Sequence, residues 1–522
     1  TASDTTKYFD TILYEGNGDG QRVGQFQPFG NAFTVGNSAL FVEANSEYLS
    51  RTPGATGVEE IGTFSGWVKK TKLAVNQYVF SAYVSSTNYF QIYFNTSDSL
   101  LCSNYSSGYD WTLNTTQVFE DTSQWVHIVL AVDTTQGVAA NRAKLYINGV
   151  QVTAFDTETY PSLNFVNDFN TSSVPNLIGS WDTTPSYEFD GYMSEVVWID
   201  GTQYAASDFG QTDTTTNRWI PKDVSGLTFG TNGFYLDFAD SDNVGDDESG
   251  NSNDFTNNNT VTQTTDSPTS NFGTLARSGG ALTLSNGNRT NQGAAGGYGH
   301  AVSGLSFKHE KIFCALLIVD GGSGAEVNTG ISVVPSSYIP DVNDSGSTGT
   351  FANIQTYGAV TRVIPIIPGT GVVLSHSIAA ADGDYYTVAV DPDQGNIWFG
   401  FYDTSAGTHQ YLPATVGGTA GDPALGTLPT VSGRNFSSYE GIQIQTTGYG
   451  TGSKGTLCLA SGDLPITPPT DFLTFKQDNL TSSDQFISAL SWIKNRDSTD
   501  EHMLFDRIRG VTNDLHIGSA NQ

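Results

Sequence analysis

Positive charge is what this sequence most lacks. Its 522 residues hold 22 Lys and Arg against 53 Asp and Glu, a formal net charge of −31. No stretch concentrates Lys or Arg. A nucleic-acid binder needs a basic stripe that displaces counterions, and an anionic membrane surface attracts a basic cluster. Both partners are therefore excluded. Charge of either sign is scarce, at 14% of the chain, against roughly 25% in an ordinary soluble protein. The polar surface must come from Ser, Thr, Asn, Gln and Gly. That suits turn-rich β structure, whereas long amphipathic helices need more Glu, Lys, Ala and Leu. Strong acidity keeps a chain soluble and monodisperse. It fits a surface adapted to high salt and, equally, an acidic extracellular or particle surface.

Cysteine is also rare. Cys102, Cys314 and Cys458 are odd in number and far apart, which excludes a disulfide framework and zinc spacing and fits folding in a reducing cytoplasm. No apolar run is long enough for a helix that inserts in a membrane. No signal peptide is visible, but the chain opens at Thr1 rather than Met. Residues missing before Thr1 or after Gln522 stay open. Sequons such as Asn95 and Asn170 arise by chance in so Asn/Ser/Thr-rich a chain.

What is present reads as strands. Phe64-Ser-Gly-Trp-Val-Lys-Lys70, Tyr78 to Val84 and Tyr89 to Phe94 are short, aromatic and β-branched. In Trp125 to Asp133, Val126, Ile128, Leu130 and Val132 share one face, and Trp125, His127, Val129 and Ala131 the other. Both faces are largely apolar, which predicts a strand inside a sandwich. Asn148-Gly149 is a strong hairpin signal, because both central turn residues must accept positive φ. The order Trp125–Asp133, Ala143–Val152, Phe189–Asp200 resembles a laminin-G/pentraxin-type (concanavalin A-like) jelly roll.

The chain is too long for one core. The reading is all-β: a jelly roll over 1–204, an acidic Asn/Thr/Gly-rich connector over 205–275, a second sandwich over 276–465, and the start of a further β module over 466–522. The best segment of the second sandwich is Tyr385 to Tyr402, where Asp391-Pro-Asp-Gln-Gly395 supplies a turn between alternating strands. Ser483 to Arg496 fits a helix and a buried strand equally.

These residues resemble a family of multi-domain virion proteins of marine tailed bacteriophages. The resemblance rests on Glu47-Tyr-Leu-Ser-Arg-Thr-Pro53, Phe64 to Lys70, Trp125 to Gln136, Phe189-Asp-Gly-Tyr-Met-Ser-Glu195, Asn232 to Phe238, Ser249 to Phe255, Phe486 to Arg496 and Asp506 to Gly510. A SPRY-like second domain is matched mainly by Ala389 to Phe401. The resemblance implies a tail, fibre or capsid-appendage protein on the particle surface, folded in the host cytoplasm. It implies a homo-oligomer, a trimer being favoured, alongside other virion proteins and a host glycan. The alternatives are a jelly-roll glycoside hydrolase acting on a β-glycan and a secreted bacterial adhesin.

Candidate chemistry is sparse. A hydrolase of this kind needs paired carboxylates, and the promising strand carries Glu195 and Asp200. Their odd separation turns them to opposite faces unless a bulge intervenes. No nucleophile adjoins His127, so no triad forms in sequence and a core histidine is expected there. The Gly-rich run at 294–299 lacks the strand, helix and Lys-Ser/Thr of a phosphate cradle. No catalytic residue is expected. Calcium is the one cofactor considered, at Asp19, Asp133 and Asp190, which fall at turns or strand ends. The run Asp237, Asp240, Asp242, Asp246, Asp247 does not fit an EF-hand loop. Tyr105, Tyr109 and Trp111, in a Ser/Gly-rich loop over Cys102 to Thr112, are the candidates to stack on a sugar.

Overall fold

The computed structural model describes residues 33–480 apart from short internal stretches, the longest being 335–349 and 365–373. Beyond 480 it describes the strands Leu490–Ile493, His502–Asp506 and Leu515–Ile517. Asp19 lies outside the described residues.

The chain is all-β, built as stacked antiparallel sheets. In the first sandwich one sheet runs, edge to edge, through Val150–Gln151, Ala143–Ile147, Val126–Asp133, Ile61–Lys70, Gly191–Asp200, Ser38–Phe41 and Thr262–Thr264. The facing sheet runs through Phe155–Thr159, Tyr109–Val118, Ser99–Ser106, Asn88–Phe94, Gln77–Ser85, Asn176–Ile178, Tyr48–Arg51 and Thr256–Asn258. Ile128, Leu130 and Val132 point between the sheets, against Phe64, Phe80, Phe90 and Trp198. The opposite parity is covered as well: Val129 packs with Val197, Ile199 and Phe209, and Trp125 with Trp67 and Tyr192. The two-sided apolar pattern of Trp125–Asp133 thus reflects a central strand with cover on both faces. Asn148 and Gly149 turn the hairpin at φ 48° and 79°.

The acidic segment 205–275 is woven into this sandwich. Phe234–Leu236 pairs with Gly191–Asp200, Thr256–Asn258 with Tyr48–Arg51, and Thr262–Thr264 with Ser38–Phe41. Its Phe234, Leu236, Phe238, Phe255 and Val261 lie in the sandwich core. Isolated aromatics in a polar stretch carry no strand periodicity, so sequence alone showed only a connector. The second sandwich buries Ile312–Ile318, Tyr386–Val390 and Ile397–Phe401 around one core. That core reaches from Phe272 to Leu480, past the expected edges at 276 and 465, because Leu473–Thr474 adds a parallel strand to Ile312–Asp320. Within the ambiguous Ser483–Arg496, residues 490–493 are a strand, and 483–489 and 494–496 lie outside the described residues.

The junction between the sandwiches turns on a buried lysine. Lys69 has no exposed surface. Its ammonium donates to Asp266 Oδ2 at 2.9 Å, Asn271 Oδ1 at 2.8 Å and the Phe272 carbonyl at 3.3 Å. Three N–H donors thus meet three acceptors. Burial pulls its pKa down, and the Asp266 carboxylate opposes that. Asp266 Oδ1 also accepts the Trp125 indole N–H at 3.1 Å. Around this node Asn271 Nδ2 donates to the Ser123 carbonyl, and Tyr192 Oη to the Gly287 carbonyl at 2.8 Å.

The strand Gly191–Asp200 holds a β-bulge. Its register against Ile61–Lys70 shifts between Ser194 and Val197, and Glu195 takes φ 50°. Met193 and Val196 therefore both face the core. The bulge does not bring the two candidate carboxylates together. Glu195 is sealed beneath the 205–275 segment and accepts the Tyr235 hydroxyl at 2.7 Å. Asp200 accepts instead from Val58 N, Asn170 Nδ2 and Asn232 N. Burial pushes the Glu195 carboxyl up to about 8.

Two outcomes follow from these buried charges. Asp266→Asn leaves the Lys69 ammonium without its counter-charge. It should cost about 3–5 kcal/mol in denaturant unfolding, and replacing both residues by apolar ones should recover most of that loss. Glu195, with its folded pKa raised, contributes stability that is complete below its ordinary pKa and lost as pH rises toward 8. Relative to Glu195→Gln, the native chain should lose about 1.4 kcal/mol per pH unit across that window, read from unfolding midpoints at stepped pH.

Candidate functional site

Strand alternation sorts the second sheet of the first sandwich into two chemistries. Phe90, Ile92 and Phe94 point inward, as do Leu100, Cys102, Trp111 and Leu113. The residues between them point outward: Tyr89, Gln91 and Tyr93 on one strand, Leu101, Ser103 and Tyr105 on the next. Tyr78 and Tyr83 join them from Gln77–Ser85, and Tyr109 from the fourth strand. The 179–190 loop lays Trp181 and Tyr187 over the same face, where Ser81 Oγ donates to the Ser180 and Trp181 carbonyls at 2.9 Å.

The rings form one connected cluster, in which Tyr78 and Tyr93 are buried and Tyr89, Tyr105, Tyr109, Trp181 and Tyr187 reach solvent. Tyr78 stacks on Tyr93 with centroids 4.6 Å apart, and Tyr89 on Tyr105 at 5.0 Å. Tyr105 meets Tyr109 edge-on at 5.4 Å. Trp181 bridges the two stacks, 5.5 Å from both Tyr83 and Tyr89 and 6.3 Å from Tyr78. Tyr109 and Tyr187 are about half exposed, at 52% and 51%.

Polar groups are set between and beside the rings. Tyr78 Oη donates to Gln91 Oε1 at 2.9 Å, and Gln91 Nε2 to Ser103 Oγ at 2.8 Å. At the margin Asp168 accepts from Asn88 and Asn104, each at 2.9 Å. Burial lifts the Tyr89 hydroxyl to about 12 and raises those of Tyr78 and Tyr93 further, so these phenols stay neutral donors. Trp181 Nε1 is shielded from solvent and meets no partner among the described residues. Ring faces backed by fixed amides and hydroxyls can hold a ligand with an apolar face and a polar edge.

The expected trio divides. Cys102 to Thr112 is not a loop but two paired strands joined at Ser107-Gly108, with Ser107 at φ 59°. Tyr105 and Tyr109 lie on the outer face. Trp111, two residues further on, would share the face of Tyr109 in a regular strand, but the register shifts between Asn104 and Tyr105 and Trp111 pairs with the buried Asn104: it is wholly buried, with Nε1 donating to Asn167 Oδ1 at 2.9 Å, so it is a core residue and not a stacking surface. Tyr78, Tyr83, Tyr89, Tyr93, Trp181 and Tyr187 were not anticipated. A signal for some was present in Tyr89-Phe-Gln-Ile-Tyr-Phe94, where phenols alternate with Phe and Ile.

The calcium candidates also separate. Asp133 pairs with Ile61 at one end of Ile61–Lys70, whereas the Asp190 carbonyl accepts Thr71 N at the other. The two ends are about 30 Å apart along the strand, so one ion cannot use both. Asp133 instead accepts from Thr135 N, Thr135 Oγ1 and Gln136 Nε2, which holds its pKa down. Asp190 accepts from Thr71 Oγ1 and Glu43 N. Asp247, in the acidic run, organises a turn by accepting Tyr235 N, Ser249 N and Asn253 N. Among the described residues no three His, Cys, Asp or Glu converge to hold a metal.

His127 is buried between Trp67, 4.7 Å away, and Trp219, 6.0 Å away. Trp219 Nε1 donates to its Nδ1 at 2.9 Å, so Nε2 carries the proton and donates to Ser65 Oγ at 2.9 Å. Burial lowers its pKa to about 3, and the ring is neutral.

Residues 43–207 match the family model described as the Concanavalin A-like lectin/glucanases superfamily. No curated protein matches the chain. Three solved structures illustrate its likenesses. The carbohydrate-binding module CBM40 of the Ruminococcus gnavus IT-sialidase, bound to α2,3 sialyllactose, is 16% identical, with 31% of this chain and 91% of that one covered and a TM-score of 0.23. The LG4-5 domains of the mouse laminin α1 chain are 8% identical, with 73% and 78% covered and a TM-score of 0.25. The SPRY domain of human HERC1 is 15% identical, with 34% and 92% covered and a TM-score of 0.22. The chain is an all-β protein whose first sandwich is a laminin-G-like, concanavalin A-like jelly roll.

Proposed function

We propose that this chain recognises glycans, without cutting them, through the outer face of its first sandwich. The observation that carries this is the accessible Tyr/Trp surface of Trp181, Tyr89, Tyr105 and Tyr109, held from behind by the buried pair Tyr78 and Tyr93. Sugar rings have apolar CH faces that lie on aromatic rings and hydroxyls that need edge partners. Asn88, Ser106 and Asp110, which are hydrogen-bonded to one another at the accessible margin beside Tyr105 and Tyr109, are edge partners of that kind. The match of residues 43–207 to a superfamily of lectins and glucanases supports a sugar ligand.

The setting we propose is the surface of a tailed-phage particle, as a tail, fibre or capsid-appendage protein in a homo-oligomer, favouring a trimer. The motif resemblance described above motivates it. The dense, low-charge β construction suits an exposed particle part.

The chain screened on a glycan array should bind one structural class. Tyr109→Ala and Tyr105→Ala should each weaken that binding about tenfold or more, roughly 1.4 kcal/mol, with little change in Tm because both side chains are partly exposed. An array without binding, or affinity indifferent to both substitutions, contradicts the reading. Antibody labelling of purified particles tests the setting: decoration at a tail or capsid surface is expected, and unlabelled particles argue against it.

A further inference from the structure

We propose that a cleft at the junction of the two sandwiches is a second site, separate from the tyrosine face, that takes a single sugar residue. The cleft has a volume of about 310 Å³ and lies on the outer side of the Ile61–Lys70 sheet. Trp67, Trp125 and Trp219 line it, together with Gln124, Asn148 and Arg218. Ligand pockets run from roughly 300 to 1,000 Å³ and favour domain interfaces, so this one has room for one ring and not for a polymer.

The three indoles are held rigidly. Trp67, His127 and Trp219 form a near-parallel stack, with interplanar angles of 22° and 25°. Trp219 also lies flat against two glycines: a Cβ at Gly149 would come within 2.4 Å of its ring, and one at Gly210 within 2.5 Å. The indole N–H groups of Trp125 and Trp219 are already bonded, to Asp266 and His127. Those two rings therefore offer a ligand only apolar surface, and they offer it without a large ordering cost.

The rim supplies the opposite chemistry. Asn148 uses its Oδ1 to accept His127 N, which pins the amide at the hairpin turn. Arg218 Nη2 donates to Gln477 Oε1 at 3.3 Å, which holds the side chain at the rim. Gln124 contributes a further amide. An apolar ligand would desolvate these groups without bonding them, and a small ion would leave the indoles unused. A pyranose matches both sides, with its CH face on the indoles and its hydroxyls toward Asn148, Gln124 and Arg218. Ligands of this kind include neutral hexosides, N-acetylhexosaminides and hexuronides, which share that ring.

Methyl glycosides of those three types, titrated into the full chain and followed by calorimetry and tryptophan emission, test the site. At least one should bind with one-to-one stoichiometry. Gln124→Ala and Arg218→Met should each weaken it about tenfold, while Tyr109→Ala leaves it unchanged. Unfolding midpoints of the variants show whether either has lost its fold; Gln124→Ala, at the partly exposed rim, is the milder change. Absence of binding by all three up to about 10 mM, or binding that survives both rim substitutions, overturns the proposal. Binding lost only in Tyr109→Ala assigns the sugar to the tyrosine face and also overturns it.

Discussion

The ammonium of Lys69 is the constraint on which the arrangement depends. A buried charge without partners costs several kcal/mol, a large share of the stability of a domain, so its surroundings must be complete. Asp266, Asn271 and the Phe272 carbonyl complete them. All three acceptors come from the segment that leaves the first sandwich and enters the second. One side chain of a central strand thus sets where that segment runs. Trp125, bonded to the same carboxylate, ties the neighbouring strand to it. The indole-lined cleft beside this node takes its shape from the same contacts.

Weaving residues 205–275 into the first sandwich has a second effect. Phe209, Val224 and Phe229 pack on the outer face of one sheet and Trp219 sits on His127, while Phe234–Leu236 extends that sheet and its Tyr235 caps Glu195. The other sheet keeps its outer face, where the rings of Tyr89, Tyr105, Tyr109 and Trp181 gather. One outer face of the jelly roll is largely covered, leaving the indole-lined cleft at its edge, and the other carries the tyrosine-rich surface. The β-bulge at Glu195 belongs to the first. It shifts the strand by one residue, so that Val196 and Trp198 continue the core begun by Met193.

Much of the first sandwich was legible in its residues. The two-sided apolar pattern of Trp125–Asp133 marked a central strand, and Asn148-Gly149 marked its hairpin. The three-residue strands Phe234–Leu236, Thr256–Asn258 and Thr262–Thr264 were not legible, because each is too short for a period and two are wholly polar. Lys69 and Lys70 are adjacent and alike in sequence, and nothing local says which loses all contact with water. Of the expected sugar-binding trio, Tyr105 and Tyr109 lie on the outer face. Trp111 misled because a tight turn at Ser107-Gly108 looked like a long loop, and because the register shift beside that turn, which sends Trp111 inward although Tyr109 two residues before it faces out, leaves no mark in the sequence. Sequence also could not show that Asp133 and Asp190 lie at opposite ends of one strand, or that a turn-ending aspartate such as Asp133 finds hydroxyl and amide donors within its own turn.

The most direct measurement is the structure of the full chain bound to a glycan selected on an array. The account predicts sugar density lying across the rings of Trp181, Tyr89, Tyr105 and Tyr109, with hydroxyls directed to the flanking amides. Density confined to another surface, with those rings bare at saturating ligand, would contradict it.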